Sequence, residues 1–201
     1  MTPLISVVLQ ARPLDRMPCD LALAGLFTTD RPLRSGAARL DWRLCGELSK
    51  QLMSEQITGE SGDALLVSSG GALCAPRVLL LGLGDSDHYG PVVAQEAMAD
   101  AMARCFALGV SRVAMTPLGV SSRDLPDHAA SLIGGLLEAS RDREDAFELT
   151  VAVATRHQDS AARALERAVK AVEPSKIRLQ VAHRPNPKPE DSLRGSAAVL
   201  R

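Results

Sequence analysis

Arg77-Val78-Leu79-Leu80-Leu81-Gly82-Leu83-Gly84 is the stretch on which the fold turns. Arg77 to Leu81 reads as a strand. Its apolar run is continuous rather than alternating, so both faces should be covered, as in the interior of a sheet flanked by helices. The run ends in Gly82-Leu83-Gly84-Asp85, an abrupt exit ahead of a segment that opens on Pro91. Pro suits the first turn of a helix, where its missing N–H has no intrahelical partner anyway. Just upstream, Asp63 to Ser68 reads as a second strand and Ser69-Gly70-Gly71 as the turn after it. Residues 63–81 therefore read as a β-hairpin.

Outward from the hairpin, strands and helices alternate. Ile5–Leu9 and Asp20–Phe27 are short apolar strands, with Arg12-Pro13 between them and a loop over Thr28–Gly36. Leu40, Leu44, Leu48 and Leu52 recur at i+4 and predict one amphipathic helix, with Ser35 as a cap near its start and Gly59-Glu60-Ser61-Gly62 as the following turn. Pro91–Leu108 predicts a second helix closed by Gly109, and Asp124–Ser140 a third that buries Leu132, Ile133, Leu136 and Leu137. A fourth opens at Asp159. Arg112–Thr116, Phe147–Thr155 and Ile177–Val181 read as strands. Alternation with a single hairpin means a layered α/β domain on a mixed sheet. The ordered domain should cover residues 1–183. Residues 184–201, with Pro185, Pro187 and Pro189 in quick succession, read as a flexible C-terminal tail.

Composition narrows the function classes. The 201 residues are 46% hydrophobic and 23% charged, values of an ordinary globular domain with a sizeable core. With 23 basic and 24 acidic residues the net charge is -1, so no basic field exists to draw nucleic acid or an anionic membrane. Aromatic residues are only 2%, namely Phe27, Trp42, Tyr89, Phe106 and Phe147, which argues against a base-stacking platform. No apolar run approaches bilayer length and no signal-peptide pattern opens the chain, so the expected compartment is the cytoplasm. Cys19, Cys45, Cys74 and Cys105 form no metal-binding spacing and are expected to be small buried residues in a reducing environment.

A set of motifs carries a resemblance. Asp20-Leu21-Ala22-Leu23-Ala24-Gly25-Leu26-Phe27, then Leu40-Asp41 in a Leu-rich helix, then Thr58-Gly59-Glu60-Ser61-Gly62, then Arg77 to Gly84, stand in that order. The ordered set, over residues 5–182, resembles the N-terminal domain of the leucyl (cytosol) aminopeptidases. The resemblance implies a three-layer α/β/α macro-domain-like fold with a mixed central sheet. It also implies that the two-metal catalytic site belongs to a separate C-terminal domain, whose Asn-Thr-Asp-Ala-Glu-Gly-Arg signature this chain does not contain. On this reading no residue is catalytic, none binds a cofactor and none binds a metal.

The expectation is then a non-catalytic homologue that acts through a protein partner, either itself or a catalytic aminopeptidase subunit. A macro-like module for a nucleotide or ADP-ribose is the alternative, and a cryptic metal-dependent hydrolase a third. Two loops are candidate ligand contacts. Gly82, Gly84, Asp85 and Tyr89 sit between a strand and a helix, where backbone N–H groups can meet a phosphate. Against this, Asp85 and Asp87 are negative, and glycine there also serves a strand-to-helix turn. Tyr89 either stacks on an adenine or closes the loop. Ser69, Gly70 and Gly71 form a candidate anion turn, for which the hairpin connection is the better reading. His88, His128, His157 and His183 read as surface residues, and Trp42 as packing at a layer boundary or meeting a partner.

Overall fold

The computed structural model describes residues 4–172 and 178–184. Seven strands form one sheet in the order β3-β4-β2-β5-β6-β1-β7. They are β1 (Leu4–Gln10), β2 (Leu21–Leu26), β3 (Ala64–Ser68), β4 (Arg77–Gly82), β5 (Arg112–Met115), β6 (Phe147–Ala152) and β7 (Arg178–Arg184). The pairs β1–β6, β1–β7, β2–β4, β2–β5 and β5–β6 are parallel. Only β3 runs antiparallel, pairing with β4 from Ala64 opposite Leu81 to Ser68 opposite Arg77. This is the expected hairpin, and it makes the sheet mixed.

The strands bury both faces because their residues alternate between two apolar layers. Leu79 and Leu81 of β4 join Leu21 and Leu23 of β2 in a large core, while Val78 and Leu80 join Ala22, Ala24 and Ala114 in a smaller one. The large core is capped by α3 (Pro91–Ala107), α4 (Ala129–Ala139) and α5 (Gln158–Lys170). The smaller core is capped by α1 (Ser35–Arg43) and α2 (Glu47–Met53), with Leu40, Leu48 and Leu52 pointing inward. Alanines on the β2 and β5 side let α1 lie close to the sheet. The three-layer α/β/α arrangement is that of the macro-domain-like fold.

Several expectations need correction. The single helix predicted over Leu40–Leu52 is two helices, because Cys45 (φ 55°) and Gly46 (φ 84°) are left-handed and stop α1. The Asp41 carboxylate then restarts the chain, accepting from Ser49 N at 3.0 Å and Ser49 Oγ at 2.5 Å. The leucine spacing survives the break, so periodicity does not reveal it. Ser35 is the first residue of α1 rather than its cap, and Arg34 at the cap position supplies no side-chain bond. The third predicted helix begins as a 3-10 turn, Leu125–His128, before α4. Cys19 and Cys105 are buried, but Cys45 and Cys74 are exposed. Trp42 is 84% exposed and packs at no layer boundary. The expected tail lies outside the described residues, apart from Arg184, which ends β7.

The exit of β4 is fixed by backbone touching backbone. Gly82 N donates to Asp63 O and Gly84 N to Gly59 O, both at 2.8 Å, and Thr28 N donates to Gly84 O at 3.0 Å. Asp63 holds the 58–63 turn in place by accepting from the Thr58 amide at 2.9 Å and from the Thr58 hydroxyl. The hydroxyl bond, then the amide bond, keeps its carboxyl below the ordinary range. A Cβ at Gly82 would stand 2.0 Å from Glu60 O, with no flexible side chain to give way. Gly82→Ala is therefore expected to destabilise the domain by more than ~3 kcal/mol. Gly90→Ala, where a Cβ meets nothing within 4 Å, should stay within about 1 kcal/mol. Urea denaturation of both variants checks this, and an unmoved midpoint for Gly82→Ala contradicts it.

Candidate functional site

All the parallel strands end on one edge of the sheet, which gathers the loops after β1, β2, β4, β5 and β6. In open α/β sheets, ligands meet the protein outside the carboxyl ends of the strands. Two adjoining clefts open here. The first, about 250 Å³, lies between the loops after β2 and β5, with Phe27, Asp30, Arg34, Ser86 and Ser121 on its walls. The second, about 570 Å³, lies between the ends of β1 and β6 and the start of α1. Ser35 and Thr116 line both. Gly36 lets α1 reach this edge, since a Cβ there would stand 2.5 Å from Thr116 Oγ1.

The loops are held by short local bonds. Asp30 is buried and its Oδ2 accepts from Phe27 N at 2.9 Å, which curls the chain after β2. Arg34 Nε stands 3.6 Å from Asp30 Oδ1. Tyr89 ties the β4 loop to the β5 loop. Its ring meets Phe27 edge-on at 5.0 Å between centroids, and its hydroxyl donates to Leu118 O at 3.0 Å. Gly119 (φ 68°) has no room for a Cβ, which would fall 2.4 Å from the Tyr89 ring. Burial pushes the Tyr89 phenol well above its ordinary range. These contacts of Tyr89 close the loop after β4 against the loops after β2 and β5.

The other candidate residues are placed as follows. Gly82 and Gly84 face the 59–63 turn described above. Asp85 is exposed at the loop tip and accepts from Asp87 N at 2.9 Å, with His88 Nδ1 3.0 Å away. The Asp87 amide, then His88, holds the Asp85 carboxyl below its usual range. Ser69, Gly70 and Gly71 lie before β4, whereas Gly82 and Gly84 lie at and beyond its far end. The two candidate loops are thus on opposite edges of the sheet, roughly 20 Å of strand apart. Ser69 is buried and its Oγ has no hydrogen-bond partner. Gly70 (φ 55°) and Gly71 (φ 85°) adopt the left-handed conformation of a turn. His128 and His157 are half-buried rather than solvated; His157 Nε2 accepts from Arg156 Nε at 3.0 Å. Among the described residues no group of three or more His, Cys, Asp or Glu side chains is gathered closely enough to hold a metal ion. No described helix is long and apolar enough to cross a membrane.

Arg12, Ser35, Arg39, Thr116 and Ser122, which line the larger cleft, were not singled out from the sequence as ligand contacts. The available signal was positional: Arg12 and Thr116 lie just beyond strand ends, Ser122 lies further along the loop after β5, and Ser35 and Arg39 lie in the N-terminal half of the helix that follows β2.

Fold and strand-end clefts together define a macro-domain-like α/β module. The N-terminal domain model of the cytosol aminopeptidase family matches residues 25–144, more than half of the chain, and the chain belongs to that family. A probable cytosol aminopeptidase of Xanthomonas oryzae pv. oryzae is 30% identical over 159 residues, covering 68% of this chain and 32% of that protein. The chain thus spans about a third of the length of such relatives. A tomato leucine aminopeptidase mutant superposes with TM-score 0.63 at 18% identity, covering 84% of this chain and 37% of that one. A Trypanosoma brucei macrodomain in complex with ADP gives TM-score 0.63 at 11% identity, covering 81% and 68% of the two chains. At such identities these structures share the fold.

The cysteines give a direct check of the layering. Burial pushes the Cys19 thiol up to about 11 and the Cys105 thiol up to about 12, so both stay protonated and covered near neutral pH. The reactive form of a thiol is the thiolate. At about pH 8, close to the ordinary thiol value, an aromatic disulfide reagent should label the exposed Cys45 and Cys74 rapidly. The other two should react only in denaturant. Rapid labelling of all four in the native protein contradicts the arrangement.

Proposed function

We propose that this domain performs no catalysis of its own and acts as a binding module, docking on a catalytic aminopeptidase chain in the cytoplasm and regulating it. The observation that carries this reading is the exposure of two large apolar side chains on the α1–α2 layer. Trp42 is 84% and Met53 85% exposed there. Tryptophan is the side chain most often found at the centre of protein interfaces, where a large rigid ring is desolvated in one step. The relatives support the choice of partner. They are cytosol aminopeptidases about three times longer than the matched region, so in them this domain shares a polypeptide with the rest of the enzyme. The resemblance drawn from the sequence puts two-metal chemistry in that remainder.

The test is sedimentation of the purified chain with a full-length cytosol aminopeptidase from the same cell, with leucyl-p-nitroanilide hydrolysis followed in parallel. A complex should form and alter the rate. Trp42→Ala should weaken it at least about tenfold, equivalent to ~1.4 kcal/mol, while leaving the urea midpoint in place. Absence of a complex sinks the reading. So does metal-dependent turnover by the isolated chain that survives repurification.

A second reading rests on the adjoining clefts at the strand ends, a place suited to a nucleotide or an ADP-ribose-like ligand. One of the fold's solved relatives is a macrodomain in complex with ADP. On this reading ADP-ribose raises the melting temperature saturably, and an unchanged melting curve at millimolar ligand counts against it.

A further inference from the structure

The larger cleft is one-sided in charge. Its walls come from the segment after β1 (Ala11, Arg12, Pro13, Leu14), the first turns of α1, Thr116 and Ser122 after β5, and residues 152–155 after β6. The charged side chains among them are Arg12 and Arg39, and no carboxylate stands on the wall. Arg12 donates through an Nη to Arg16 O at 3.4 Å, a weak backbone contact, and has no ion-pair partner among the described residues. Arg39 donates through Nε to Asp15 Oδ1 at 2.9 Å. Asp15 is only 6% exposed, so the bond anchors the Arg39 guanidinium on a covered carboxylate through Nε rather than through Nη. A second cation, Arg16, also approaches Asp15, at 3.9 Å. Two guanidiniums and no carboxylate on the wall leave the lining of the cleft positive.

The remaining polar wall suits the same occupant. Ser35, Thr116, Ser122 and Thr155 offer hydroxyls. The first turn of α1 carries no acidic residue, and its cap residue makes no side-chain bond to the backbone amides. Those amides add a weak positive end to a cavity already lined by cations. Cations without carboxylate partners beside a roomy polar cavity are where a planar oxyanion gains charge-assisted, two-pronged hydrogen bonds.

We propose that the cleft between β1, β6 and α1 binds a small organic anion. A phosphoryl or carboxylate group would sit on Arg12 and Arg39, and the polar body would extend past Ser35 and Thr116 toward the smaller cleft. The inference rests on the second reading above and specifies its ligand class: the β1 end of the site selects negative charge and not a neutral base. An aromatic base would find no ring on this wall, since none of the lining residues is aromatic.

The test uses the full chain and three probes: ribose 5-phosphate, a small dicarboxylate such as malate, and neutral adenosine. Ribose 5-phosphate or malate should raise the melting temperature saturably, with affinity falling as salt screens the arginines. Comparing the two probes tells phosphoryl from carboxylate recognition. Arg12→Ala should weaken that binding at least about tenfold, and Arg12→Lys should restore part of it. Arg12 makes only the one backbone bond, so its loss should leave stability unchanged. Trp42→Ala should bind the anion as the unaltered chain does. Binding of adenosine without either anion overturns the inference and leaves the cleft reading standing. Failure of all three probes overturns both. Anion binding unaffected by Arg12→Ala overturns the assignment to this cleft.

Discussion

The structure depends on one close approach, the passage of the backbone at Gly82 and Gly84 against the 59–63 turn. The turn leads into β3, the edge strand of the hairpin, and the glycines close β4. Because Gly84 O also takes the Thr28 amide, the same contact anchors the loop after β2. Three connections, from different parts of the chain, thus share one cluster of main-chain hydrogen bonds. Only hydrogen fits where a Cβ at Gly82 would meet a carbonyl oxygen at 2.0 Å, so this part of the fold is specified by the absence of a side chain. The Gly-x-x-Gly turn and the Gly-Leu-Gly strand end, separated in sequence, are two halves of one packing unit.

That unit also explains why the fold was legible. A strand buried on both faces must be apolar without alternation, and it must end sharply if a helix is to cross the sheet, so Arg77 to Gly84 has little freedom to read otherwise. The order of elements followed, including the single antiparallel pair. What escaped the sequence was local and conformational. The left-handed residues Cys45 and Gly46 divide a helix whose leucines remain in step on both sides of the break, because α1 and α2 cover the same core. Ser35 opens α1 instead of capping it, with a left-handed φ of 48° that its residue type does not announce. Exposure of Trp42 on α1, of Cys45 in the turn after it and of Cys74 in the hairpin connection depends on which surface the other layers leave uncovered, and residue type does not record that.

The candidate site was legible only as a location. The glycine-rich segments drew attention because glycine announces backbone freedom; Gly82 and Gly84 bond to the 59–63 turn, and Leu83 and Ser86 beside them line the smaller cleft. The clefts are walled by residues from 11–14, 25–39, 83–86, 116–122 and 152–155, stretches more than a hundred residues apart at the extremes. No spacing rule connects them. They meet because parallel strands must all end on the same edge, which is a consequence of topology and visible once the strand order is known.

The scarcity of aromatic residues takes on a sharper meaning in this setting. Phe106 and Phe147 pack edge-to-face at 4.8 Å between centroids, under the Arg143 guanidinium, and Phe27 and Tyr89 pack likewise at the cleft rim. Four of the five rings are thereby engaged with one another, and the fifth, Trp42, stands bare on α1. The two surfaces of interest therefore divide the available chemistry. The α1 face has a large apolar ring and suits a protein partner. The strand-end cleft has hydroxyls and guanidiniums, which recognise charge and sugar-like polarity through directed hydrogen bonds. Both run along the same helix, since Arg39 and Trp42 are three residues apart on α1, so an occupant of one surface necessarily adjoins the other.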